Sequence, residues 1–221
     1  MQRFKLVILL VIAGLVSACA STNTTTRNLP YEAAPLAASP ASVQSAMVAP
    51  ITDVRVDSIT VTVPRSLAVS EANRYLPAGD IVWRGDPVGD RYAQVSDIFY
   101  AAMERGTASL DGAVPVALDI QVSRFHALTE KARYSVGGVH NINFVLTLRN
   151  AETGALLGEP RLVRADLEAF GGQKALAAEA RGQTQKVRIV AHLAEVIRQE
   201  LTTVEGFKNP KLGIIQAMNQ I

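Results

Sequence analysis

His126 and His140, with Glu130 between them, are the residues whose types could carry chemistry in this chain. His126 closes one predicted strand and His140 opens the next. If those strands pair as a hairpin, the rings lie near one another with Glu130 in the connecting loop. Two histidines and a carboxylate are the minimum of a catalytic zinc site. Their spacing matches no tight signature such as H-E-x-x-H, and solvated or core-capping histidines are far commoner. His192 falls off the apolar stripe of a predicted helix and reads as solvated. No cofactor and no catalytic residue is assigned, and the metal reading stays with His126, His140 and Glu130 as candidates.

Other chemistry has less to work with. Gly85 to Arg91 is a turn cluster ahead of a predicted helix, and a helix N-terminus can bind phosphate. Asp86 and Asp90 would repel an anion, and no Gly-Lys-Ser/Thr follows, so capping by Asp90 is the better reading. There is no G-x-S-x-G elbow. Arg124, Arg149 and Arg164 are expected to share the wet face of a sheet with Asp119, Asp166 and Glu168. Mixed charge of that kind usually serves solubility.

The single cysteine, Cys19, follows Val16-Ser17-Ala18 at the end of an apolar run from Leu6, behind Arg3 and Lys5. That is the layout of a secretory signal, and the run is too short for the roughly 20 apolar residues of a bilayer-spanning helix. The stretch resembles the bacterial lipobox. The resemblance implies cleavage before Cys19 and a diacylglycerol thioether with an N-acyl chain, palmitate being the usual kind. It also implies membrane attachment through that lipid. Ala20, where an aspartate would favour inner-membrane retention, points to the periplasmic face of the outer membrane over the inner membrane. With no second cysteine there is no disulfide framework, so burial alone must hold the fold.

Loss of Arg3 and Lys5 with residues 1–18 leaves 20 basic residues against 20 acidic ones. A strongly basic balance, the footprint of nucleic-acid binding, is therefore absent from the mature chain. Residues 19–50 are rich in Ser, Thr, Ala and Pro and read as a tether. At about 3.1 Å per residue it would reach on the order of 90 Å. Residues 51–205 read as one α/β domain and 206–221 as a C-terminal tail.

Within the domain, Val54 to Val63 alternates as a strand with a bulge near Asp57-Ser58. A helical turn is expected around Ser70–Tyr75, then a short strand at Ile81-Val82-Trp83. Asp90 caps a helix carrying Val95, Ile98, Phe99, Ala102 and Met103, with Gly106 as its left-handed stop. Strands follow on Val116–Val122, Ile142–Leu148 and Val163–Leu167, the last two joined by a turn at Asn150–Gly154. A second helix, Thr184 to Thr202, presents Val187, Val190, Ala191, Ala194, Ile197 and Leu201. The expected fold is α+β, a two-layer sandwich in the order β-β-α-β-β-β-α. Its mixed, mainly antiparallel sheet has four to five strands, with two helices on one face. In the tail, Ile214, Met218 and Ile221 fall at helical spacing, predicting a short amphipathic turn that either docks on its own domain or serves as a partner-binding segment.

Three stretches resemble an uncharacterised family of proteobacterial lipoproteins of unknown function. They are Asp80-Ile81-Val82-Trp83-Arg84-Gly85-Asp86-Pro87, Arg124-Phe125-His126 and Gln183-Thr184-Gln185-Lys186-Val187-Arg188-Ile189. The resemblance covers most of residues 50–205 and brings no catalytic residues with it. The expected function is therefore a lipid-anchored periplasmic lipoprotein, a non-enzymatic binding or accessory module with an envelope protein partner. The alternative is an envelope enzyme or metal-binding protein using His126 and His140. A lipid carrier would need an apolar cavity beneath the helices.

Overall fold

The computed structural model describes residues 53–218. The signal, Cys19 and the tether lie outside the described residues, as does Ile221 of the tail.

Six strands form one mixed sheet. The two longest, β3 (Val114–His126) and β4 (Gly138–Asn150), pair antiparallel at its centre. β1 (Val54–Thr62) lies parallel to β3, and β5 (Arg161–Arg164) antiparallel to β4. The short β2 (Ile81–Val82) joins the end of β3, and β6 (Leu167–Ala169) joins the start of β4. The parallel β1–β3 pair requires a crossover, which α1 (Arg91–Thr107) supplies. The bulge expected in β1 is present as a register shift between Val56 and Ser58. At the turn after β4, the Asn150 side chain accepts from the Glu152 and Thr153 amides, holding the chain in a tight reversal.

The α+β architecture and the strand-helix order predicted from periodicity are those of the structure. Short elements are added that periodicity did not announce: α2 (Glu130–Arg133), β6 and α3 (Gly172–Ala180). α4 (Gln185–Thr202) is capped by Thr184, whose hydroxyl accepts from the Val187 amide. α1 and α4 close one core with the inward residues of β3 and β4, among them Leu118, Ile120, Phe144 and Leu146. Four aromatic rings run edge-to-face through it. Trp83 meets Phe125 at 5.7 Å, Phe125 meets Phe99 at 6.1 Å, and Phe99 meets Phe144 at 5.5 Å.

Several local expectations are corrected. Ser70–Tyr75 forms no helical turn but an extended, bent segment, with Val69 bridged to Ile81. Gly106 does not stop α1; it lies inside the helix, where a Cβ would sit 2.3 Å from the Ala194 carbonyl oxygen and 2.5 Å from Ile197 Cγ2. Its role is close approach to α4. The buried face of α4 runs through Ile189, Leu193, Val196 and Ile197, while Val187 is 40% exposed. His192 is not solvated: its ring packs edge-on to Phe207 at 5.6 Å.

The wet-face reading holds for Arg149, which pairs with Asp119 at 3.0 Å, and fails for Asp166. Asp166 is fully buried, and its carboxylate accepts from Asn141 at 2.6 Å, Asn209 at 2.9 Å and Gln216 at 2.7 Å. The tail helix α5 (Ile214–Met218) is docked on its own domain through that network. It faces inward with Gln216, not with the apolar stripe; Ile214 is 79% and Met218 49% exposed.

Candidate functional site

The β3–β4 register decides the fate of the histidine pair. His126 stands opposite Asn141, and Phe125 opposite Ile142. Directly opposed residues of an antiparallel pair share a face, and neighbours along a strand alternate. His140 therefore leaves the sheet on the α4 side, while His126 leaves it on the other. Glu130 is held elsewhere, its carboxylate accepting from Arg84 Nε at 2.5 Å. Among the described residues no group of three or more His, Cys, Asp or Glu is placed to hold a metal ion.

Each histidine is neutral for a physical reason. His140 is fully buried near Arg188, His192 and Arg133, and burial first, then those charges, pushes its pKa down to about 3. His126 is pushed down to about 4 by burial, with the charge of Arg124 acting in the same direction. The Arg124 guanidinium can only donate, and it lies 3.1 Å from His126 Nδ1, so that nitrogen accepts and the ring proton sits on Nε2.

The three stretches that carried the family resemblance meet in space at this end of the sheet. Trp83 is buried, and its ring folds over Gly85, where a Cβ would lie 2.3 Å from the indole. The indole N–H donates to Asp86 at 2.8 Å, and Lys186 at the start of α4 reaches the same carboxylate at 2.9 Å. Phe125 meets that indole edge-to-face, and β2 runs beside Phe125 and His126. The Gly85–Arg91 loop is thus a structural clamp. Asp90 caps α1 by accepting from the Tyr92 and Ala93 amides and pairs with Arg65. Arg91, 4% exposed, makes a two-pronged ion pair with Glu71 at 2.6 and 3.0 Å. That buried arginine has no periodic signal in the sequence.

On the His126 side of the sheet lies an open groove of about 270 Å³. Its floor is His126, Ala127, Leu128 and Val139, and its walls include Tyr75, Leu76, Val136, Ile215 and Met218. Leu76 is 58% and Val136 74% exposed, so large apolar side chains line a surface cleft. Its volume lies near the low end of small-molecule sites, which run from roughly 300 Å³ upward. His126 is its only titratable side chain apart from the Tyr75 phenol. The wall residues come from three loops or short elements distant in sequence. Their one sequence-level signal was large apolar residues within Pro- and Gly-punctuated segments, Tyr75-Leu76-Pro77 and Val136-Gly137-Gly138-Val139.

Comparison with known proteins places the chain in a family. It belongs to a family of unknown function, DUF6778, matched over residues 54–217. Among solved structures, it is similar to a candidate lipoprotein from Caulobacter crescentus CB15, at 13% identity and a TM-score of 0.33. That alignment covers 71% of this chain and 92% of the other. A structure described as an uncharacterized protein aligns at 18% identity and the same TM-score of 0.33, covering 67% and 95% of the two chains. No functionally curated protein matches. Among the described residues, no helix is long and apolar enough to cross a membrane.

Proposed function

We propose that this DUF6778 family member is a lipid-anchored, non-enzymatic binding module of the cell envelope, with the groove beside His126 as its binding face. The observation that carries the reading is the cluster of exposed Leu76, Val136, Ile215 and Met218 around one apolar cleft. A contiguous exposed apolar surface on a small domain marks a place where something docks. The lipobox-like Val16–Cys19 supports the anchor, and Ala20 supports the periplasmic face of the outer membrane. The Ser/Thr/Ala/Pro stretch supports a tethered domain serving an envelope complex.

Two measurements in the full-length chain test this. Cys19→Ser should leave precursor with its signal attached; normal processing and membrane retention would overturn the anchor. A photo-crosslinking residue at Leu76, in cells, should give one defined adduct, while the same residue at Val88, 91% exposed and outside the groove, should not. Absence of an adduct at Leu76, or the same adducts from both positions, would overturn the groove as binding face.

A further inference from the structure

We propose that the groove holds the alkyl chain of a single-chain anionic amphiphile, a medium-chain fatty acid of about ten to twelve carbons, with its carboxylate at Lys131. This rests on the groove being the binding face and names what occupies it. The lining gives the first reason. It is apolar except for the Tyr75 phenol and the uncharged His126, so it offers neither a counter-charge nor a polar array to a peptide. Three backbone groups along its floor and wall are already engaged. The Ala127 amide donates to the Val82 carbonyl, the Gly137 amide to Ala132, and the Leu128 carbonyl accepts from Gln185. An extended peptide brings its own amides and carbonyls into such a cleft and leaves them without partners. A hydrocarbon chain brings none. Taking about 30 Å³ for a methylene, close to the share of a water, roughly nine such groups fill the cavity. That is room for one chain.

The rim gives the second reason. Lys131 Nζ lies 4.8 Å from the centroid of the Tyr75 ring, which walls the groove, and Arg74 precedes Tyr75. Both cations are exposed, and neither forms an ion pair among the described residues, because Glu130 and Glu71 are taken by Arg84 and Arg91. The rim is also fixed. The buried Thr129 hydroxyl donates to the Arg74 carbonyl at 2.7 Å, and the Lys131 amide donates to Asn73 Oδ1 at 2.9 Å. An uncharged trough with the ammonium of Lys131 over its Tyr75 wall has the charge pattern of a fatty acid: neutral tail, anionic head.

The test uses the full-length lipidated protein in detergent-free polymer nanodiscs. The probe is a twelve-carbon fatty acid carrying a diazirine near its chain end, compared with its methyl ester. The acid should label peptides containing Leu76, Val136 to Val139 or Met218, up to about fivefold more than the ester at limiting probe. Lys131→Glu should abolish that preference. Val136→Asp, at a position 74% exposed, should remove groove labelling by both probes while leaving the thermal melt unchanged. Labelling spread over the surface, or labelling indifferent to Val136→Asp, overturns the proposal; equal labelling by acid and ester overturns the anionic head. A Leu76 adduct in cells that proves to be a polypeptide overturns the fatty acid while leaving the binding face intact. No adduct at all removes both.

Discussion

Gln216 donates to Asp166 across 2.7 Å, in the buried end of the sheet opposite α4, and its amide also donates to the Pro210 carbonyl at 2.7 Å. One polar side chain thus ties the last helix to a buried carboxylate, and Ile215 and Met218 become a wall of the groove as a consequence. A buried carboxylate must be hydrogen-bonded to be tolerated. Here Asn141, Asn209 and Gln216 do this from three segments of chain.

Gln216→Ala should therefore lower stability by about 1.5–3 kcal/mol, the value of a hydrogen bond to a charged group. Ile214→Asn, on a side chain 79% exposed, should stay within about 0.5 kcal/mol of wild type. Denaturant melts of the two variants decide it. The reverse ranking would mean that the apolar stripe holds the tail.

Asp86 serves two buried or half-buried donors, the Trp83 indole and Lys186. Asp86→Ala should destabilise the domain by about 1–3 kcal/mol by stranding the indole N–H. Because Trp83 is the only tryptophan, its emission reports the site directly. The variant should shift to longer wavelength as water reaches the ring. Unchanged emission would show that core packing alone seats the indole.

Gly106→Ala should destabilise in spite of alanine's better helix propensity, worth up to about 1 kcal/mol. The added Cβ would meet the Ala194 carbonyl oxygen at 2.3 Å, so α1 and α4 must separate. Overpacking of this kind costs about 1–3 kcal/mol. A rise in the denaturation midpoint would contradict the close helix crossing.

Stability should fall on mild acidification. An unfolded histidine titrates near 6.5, whereas burial depresses His126 to about 4 and His140 to about 3. Above about pH 6.5 both states are neutral and the contribution is fully present. As pH falls below 6.5 the unfolded chain takes up protons that the native state refuses. The loss continues until the native pKa values are reached. Between pH 7.5 and 5.5, where most carboxylates remain ionised, the loss should be about 1.4 kcal/mol per histidine. His192, also lowered chiefly by burial, adds in the same direction. His140→Gln should remove one histidine's share of the slope. A flat profile over this range would contradict neutral burial.

Much of the fold was legible because its signals are local and periodic. Alternation at Val116–Val122 and Ile142–Leu148 identifies strands with one buried face, and Val95–Met103 identifies a helix with one buried stripe. Asp90 and Thr184 announce their helices by capping chemistry confined to three residues. What was not legible depends on pairing across the chain. A one-residue difference in register separates His126 from His140 by a whole sheet. Asp166, read as solvated from its place in an alternating run, is buried because the tail arrives over it 43 to 50 residues later in sequence. Gly106 looked like a stop and is a helix contact, because only the arrival of α4 distinguishes the two roles. The groove has no periodic trace at all. Its walls come from Tyr75-Leu76, Val136 and α5, segments whose proximity is set by the hydrogen bonds of Thr129, Asn73 and Gln216. Local chemistry determined the elements, and long-range closure alone decided which of their faces meet.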